Sequence, residues 1–271
     1  MTVWAEQQPA IDPTIAFIES PGHRHLLSGP ARKAGVLIMG GMSALGIYAI
    51  DGNSVDAQPK YPSHTVMATV FWIGEPATAA NGYIDNESTA WVDEARKRFG
   101  GIDDPKKRNE LGLPAGFKPK ENPYYVALPV DEFNKDGLIK GVREASPWAA
   151  EAKKLPKDGS QSLFKGRWIE VIKKGIKGKK DKIAYGQWVD SGPFVHDPNY
   201  VFGPSTAKPK NQVGLKAAID LSPSLAFYLN LGKNLSQASG TVTWRFADRS
   251  NVPKGPWTKF PSIDNRTHWE N

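Results

Sequence analysis

The chain has 271 residues, 39% of them hydrophobic, enough to bury a sizeable core, so it is not an intrinsically disordered protein. A formal charge of +7 and a pI near 9.3 favour anionic partners, but no nucleic-acid-binding motif accompanies the charge, and nucleic acid is not an expected partner. Cysteine is absent, which excludes disulfides, thiolate zinc sites and cysteine nucleophiles.

Residues 1–33 read as an N-terminal tail that becomes basic at His23-Arg24-His25 and Arg32-Lys33. Residues 34–50 then pass without a charge, the length and flank of a signal segment or a short membrane anchor with its basic side in the cytoplasm. Four glycines in that run argue against a buried core helix, and Val55-Asp56-Ala57 offers small residues for cleavage. The expectation is an exported protein, periplasmic or extracellular, either released or held by an N-terminal anchor. Residues 51–63 are polar and contain proline, so they read as a linker to a domain spanning residues 64–260.

Val66 to Gly74 is rich in β-branched and aromatic residues and is predicted as the first strand. Ser88 to Phe99 is predicted as a helix, with Ser88 as N-cap, Trp91, Ala95 and Phe99 on one face, and Gly100-Gly101 as its end. Residues 102–123 hold four prolines among charges and read as a surface insertion. Pro123 to Val130 returns to strand composition, and a second insertion follows to about Phe164.

Gly166 to Ile172 and Lys182 to Asp190 alternate as two strands of a hairpin, whose turn carries Lys173, Lys174, Lys177, Lys179 and Lys180 as a solvated basic cluster. Gly214 to Ser222 leads into a helix over 223–231, with Ser222 as cap, Pro223 at its first position and Gly232 ending it. Gly240 to Phe246 is the last strand, and the tail beyond it has no periodicity. Short strands, few helices and no βαβ rhythm predict a mainly β fold built on a small barrel, with short helices and long loop insertions.

Three segments, Val189-Asp190-Ser191-Gly192-Pro193-Phe194, Ala218-Ile219-Asp220-Leu221-Ser222-Pro223 and Gly240-Thr241-Val242-Thr243-Trp244-Arg245, resemble in order and spacing the barrels of rare lipoprotein A, the expansins and barwin-like endoglucanases. The resemblance is firm over about residues 165–246 and loose over 67–130. It implies a six-stranded double-psi β-barrel with Asp190 and Asp220 near one another in a groove that handles cell-wall polysaccharide.

Cutting a glycosidic bond needs a proton donor at the leaving oxygen, and two neighbouring carboxyls supply one by raising each other's pKa. Asp220 resembles the general acid and Asp190 its partner, although in membrane-bound lytic transglycosylases an aspartate in a similar turn is the acid. A further carboxylate acting on water would make the enzyme an inverting hydrolase; Glu75 is the candidate, with Asp85 as alternative. The same aspartates also suit plain turn and cap roles. Trp188, placed on the face of Asp190 by period-two alternation, is the expected sugar-stacking residue, with Tyr185 and Trp72 as further substrate contacts.

The five histidines show no metal-ligand spacing, and no phosphate loop or nucleophile elbow is present, so no metal or cofactor is expected. The implied activity is a peptidoglycan lytic transglycosylase or β-glucan hydrolase. The alternative is an expansin-like module that binds or loosens glycan without cutting it.

Overall fold

A computed structural model of the protein describes residues 60–269. The expected tail, the signal or anchor segment and most of the linker lie outside the described residues. The strands are β1 (His64–Val70), β2 (Tyr125–Leu128), a small hairpin of β3 (Phe133–Asn134) and β4 (Gly137–Leu138), β5 (Trp168–Lys173), β6 (Lys182–Ser191), β7 (Ile219–Leu221) and β8 (Gly240–Ala247). The α-helices are short: α1 (Ala95–Phe99), α2 (Ala149–Ala152), α3 (Pro198–Val201) and α4 (Pro223–Leu229). No helix among the described residues is long and apolar enough to cross a membrane.

The alternating segments around the lysine-rich turn pair antiparallel as β5 and β6, from Trp168 opposite Gln187 to Lys173 opposite Lys182. β5 continues the sheet to β8, β8 to β1, and β1 runs parallel to β7. β2 then joins β7 to β6, antiparallel to the first and parallel to the second, which closes a mixed barrel of six strands in the order β1-β7-β2-β6-β5-β8. Closure leaves none of the six barrel strands with an open edge.

Alternation along each strand decides what fills the barrel. Val242, Trp244 and Phe246 of β8, Ile169 and Val171 of β5, and Ile219 and Leu221 of β7 are all buried, while the intervening residues of β8 are more exposed. A cluster of rings extends this core: Phe246 lies 4.7 Å from Trp148 and 5.3 Å from Trp244, centroid to centroid. Burying side chains of this size contributes about 2 kcal/mol or more each.

Several boundaries differ from the sequence-based expectation. The first strand is β1, and the chain turns after Val70: Phe71 N–H bonds Leu221 O and Gly74 takes a positive φ of 78°. The helix expected over 88–99 is reduced to α1, with Glu94 rather than Ser88 at its N-cap. Residues 89–93 are drawn into other pairings, since Val92 bridges His268 and the Ala90 N–H bonds the Asp190 carboxylate. Trp91, Ala95 and Phe99 are nevertheless buried, so the apolar positions were placed correctly while tertiary bonds overrode local propensity. The last helix forms with Ser222 Oγ accepting from Leu225 N, and Asn230 in the left-handed region ends it before Gly232.

Both insertions and both domain ends take part in the fold. Asp103, from the first insertion, is buried with Arg108 and accepts a 2.7 Å bond from the Tyr125 hydroxyl. In the second, fully buried Glu132 accepts from Arg143 Nε at 2.7 Å, Trp91 Nε1 at 3.0 Å and Leu163 N at 2.8 Å. Tyr61, expected in the linker, is buried and donates to Asp248, and Ile263, beyond the expected domain end, is buried over Gln187.

Candidate active site

The site begins at an irregularity in β6. Val126 of β2 pairs with Trp188, but the next residue, Ala127, pairs with Asp190, leaving Val189 over as a bulge. A single extra residue reverses inside and outside for everything beyond it. Trp188 therefore points into the barrel, whereas Asp190 lies in register with Ala127 on the outer face.

Ala127 pairs on its other side with Asp220 of β7, and Asp220 pairs in turn with Thr69 of β1. Residues in register on neighbouring strands share a face, and strands stand roughly 4.8 Å apart, so the two aspartate Cα atoms are roughly 10 Å apart with only a methyl group between them. A side chain at Gly192 would close this gap, because a Cβ there would lie 3.8 Å from Asp220 Oδ2 and 3.9 Å from the Ala127 Cβ.

Each carboxyl is held. Asp190 Oδ1 accepts backbone N–H bonds from Ala90 and Ser191, both at 2.8 Å, and Asp220 Oδ1 accepts a short bond from the Thr69 hydroxyl. Glu75 sits in the turn after β1, where its backbone pairs with Asn86 and its Oε2 accepts from Asn86 Nδ2 at 3.2 Å. Glu75, Asp190 and Asp220 all line one cleft of about 560 Å³, together with Trp72. The volume suits a small ligand or a few units of a polymer.

Burial sets the proton affinity of all three. It pushes Glu75 up to about 7, with the Asp220 charge adding to the effect. It pushes Asp190 to about 7 against the pull of its two backbone N–H bonds, and the charges of Asp220 and Asp131 raise it further. Asp220 rises to about 6, again by burial, opposed by the Thr69 hydroxyl. Near neutral pH the cleft thus holds carboxyls poised between donor and acceptor, which general acid/base chemistry requires. They share a wall without converging on a point, and among the described residues no group of three His, Asp or Glu side chains could hold a metal ion.

The remaining expected residues are placed differently. Trp188 is fully buried, stacked on Phe164 with ring centroids 5.2 Å apart, and its Nε1 donates to Asp190 O at 2.8 Å. It has no face open to a sugar and instead supports Asp190 from behind; the bulge at Val189 is the reason alternation misplaced it. Tyr185 lies outside the cleft, its hydroxyl donating to Glu170 at 2.6 Å and its ring against Trp257. Asp85 is exposed, accepts from Glu87 N, and does not line the cleft.

The sequence reading missed the cleft's apolar rim. Phe194 is 52% exposed at a positive φ of 54°, and Ile84, Val213 and Leu215 are also exposed around the opening. Phe194 directly follows the Gly-Pro turn beyond Asp190, a signal that was available; Val213 and Leu215 sit in a loop that no local pattern ties to the site. No known protein family, no curated protein and no solved structure matches the chain.

Proposed function

We propose that the barrel is of the double-psi type and that the cleft cleaves glycosidic bonds in cell-wall polysaccharide, as a peptidoglycan lytic transglycosylase or a β-glucan hydrolase. The observation that carries this reading is the grouping of Glu75, Asp190 and Asp220 in one cleft with pKa values raised to about 7, 7 and 6. The three motifs that resemble rare lipoprotein A and expansin barrels also support it. They fall at the end of β6, across β7 into α4, and at the start of β8. Export, supported by the uncharged stretch over 34–50, would bring the protein to such a substrate.

In this reading Asp220, protonated, donates to the leaving oxygen as the C–O bond breaks. Asp190 is its partner on the same face of the barrel, and the Asp220 charge in turn raises the proton affinity of Asp190. Glu75, ionised, takes the proton of a water that adds to the anomeric carbon, which gives inversion; without that water, a hydroxyl of the same sugar attacks and gives its proton to Asp220, left ionised by the first transfer, to form an anhydro end. Peptidoglycan and soluble β-glucans incubated with the protein, beside an Asp220→Asn control, are analysed by mass spectrometry. Reducing or anhydro ends that vanish in the control are the expected result, and no products from either substrate refutes it.

The apolar rim at Phe194 and Leu215 favours a second reading, an expansin-like module that holds glycan without cutting it. Retention of the protein on insoluble glycan with no released fragments is the outcome that would select it.

A further inference from the structure

The end of the barrel that carries the β5–β6 turn combines charge and apolar exposure in a way the cleft does not use. Lys173 and Lys182, opposite one another at the base of the turn, both reach the end of α4, donating to Asn230 O and Tyr228 O. The single acid of the turn, Asp181, is taken by Lys174 at 2.8 Å and by Gly175 N at 2.9 Å. Lys177, Lys179 and Lys180 are exposed and have no acid partner among the described residues.

Between Lys174 and Lys177, in the turn, stands Ile176, 68% exposed. Ile183, at the base of the turn, is 43% exposed, and Phe227 and Tyr228 of α4, held beside the turn by the Lys182 bond, are 42% and 38% exposed. A polyanion in water is matched by charge alone and gives no reason to keep apolar side chains out of the core at this end. An apolar tip ringed by amines matches a lipid interface, where the isoleucine enters the headgroup layer and the lysines meet lipid phosphates.

We propose that this end of the barrel docks on an anionic lipid bilayer, with Ile176 as the inserted residue and Lys177, Lys179 and Lys180 as the headgroup contacts. β6 then acts as a spacer. Lys182 begins it and Asp190 lies eight residues further on, so the cleft stands on the order of 25 Å along the strand from the membrane contact. The docking does not depend on what the cleft cuts.

The absence of native cysteine allows a direct test on the full chain. Ile176→Cys, labelled with a polarity-sensitive dye, is mixed with phosphatidylcholine vesicles, with vesicles containing 30% phosphatidylglycerol by design (~30%, enough to give a negative surface potential), and with soluble polyglutamate. A blue shift with the anionic vesicles alone is expected. Its absence there, or an equal shift with polyglutamate, overturns the proposal, the latter in favour of a polyanion-binding turn.

Flotation of the unlabelled full chain supplies the second measurement. The triple variant Lys177→Gln, Lys179→Gln, Lys180→Gln should bind the anionic vesicles about a hundredfold more weakly, and Ile176→Ser about tenfold more weakly. Both should partition like the wild type into neutral vesicles, where only the N-terminal segment would act. Anionic-vesicle binding unchanged in both variants also overturns the proposal.

Discussion

Asp190 and Asp220 lie on opposite sides of Ala127, each paired with it across one strand boundary, so two carboxyls on distant parts of the sequence share one outward face of the barrel. The small side chain of Ala127 stands between them, and Gly192 borders the same space without a side chain to fill it. This relationship concentrates negative charge at a partly dehydrated spot, and it has consequences for stability as well as for chemistry.

Burial raises the Asp190 pKa from 3.8 to about 7. The folded state therefore binds the proton more tightly than the unfolded chain, and stability falls as pH rises from about 4 to about 7, with the full cost present above that. Asp190→Asn keeps an acceptor for Ala90 and Ser191 while removing the charge. It should be about 2 kcal/mol more stable than the wild type at pH 8 and no more stable at pH 4, at ~1.4 kcal/mol per pKa unit less the weaker acceptor strength of an amide. Urea denaturation at the two pH values measures this.

Asp220→Asn should lower kcat by roughly 10²- to 10⁴-fold, the usual range for a general acid, with an unchanged circular dichroism spectrum. In the wild type, activity should peak between about pH 6 and about pH 7, falling at lower pH as Glu75 takes up a proton and at higher pH as Asp220 gives up its own. A pH profile on whichever glycan is cleaved, compared between the two proteins, checks both statements. Wild-type activity in Asp220→Asn would remove this residue from the mechanism.

Phe194 is exposed at the cleft mouth and makes no core contact that its loss would empty. Phe194→Ala should raise KM about fivefold, the size of one lost aromatic contact of about 1 kcal/mol, and leave the melting temperature nearly unchanged. A large fall in melting temperature would mean that the ring holds the loop rather than the substrate.

His64 is buried between Tyr200 and Trp244, ring centroids 5.0 and 4.9 Å away, and its Nδ1 has no hydrogen-bond partner. Burial lowers its pKa from 6.5 to about 4. The unfolded chain then binds the proton more tightly, so this residue's contribution is intact above pH 6.5 and is lost as pH falls towards 4. Its slope opposes that of the raised carboxyls. His64→Phe, which keeps a ring in the slot, should exceed the wild type by about 2 kcal/mol at pH 5 and show no such gain at pH 8. Thermal melts across this range test it.

Glu132 gathers Arg143, Trp91, Ser162 and Leu163 around one fully buried carboxylate. Glu132→Ala strands the Arg143 guanidinium in the interior and should cost about 3–5 kcal/mol, enough to lower the yield of folded protein. Replacing both partners together, Glu132→Met with Arg143→Met, should recover part of that loss in the same denaturation experiment.

The sequence by itself determined most of the barrel's parts. Alternation placed β5, β6 and β8, the Ser222-Pro223 pair placed the start of α4, and the resemblance of three short motifs to known barrels pointed to Asp190 and Asp220 and, more loosely, to Glu75. These signals are local: a strand's period of two, a cap and a turn are each written within a few residues.

Tertiary structure decided the rest. The bulge at Val189 put Asp190 on the opposite face from Trp188, because register depends on a partner strand more than 60 residues away in sequence from Trp188, at Val126. Pairing with His268 and Asp190 dissolved most of the helix expected after Ser88. The cleft itself exists only where β1, β2, β6 and β7 close side by side, so the proton affinity of its carboxyls, which follows from burial, belongs to the folded barrel and not to any segment of the chain.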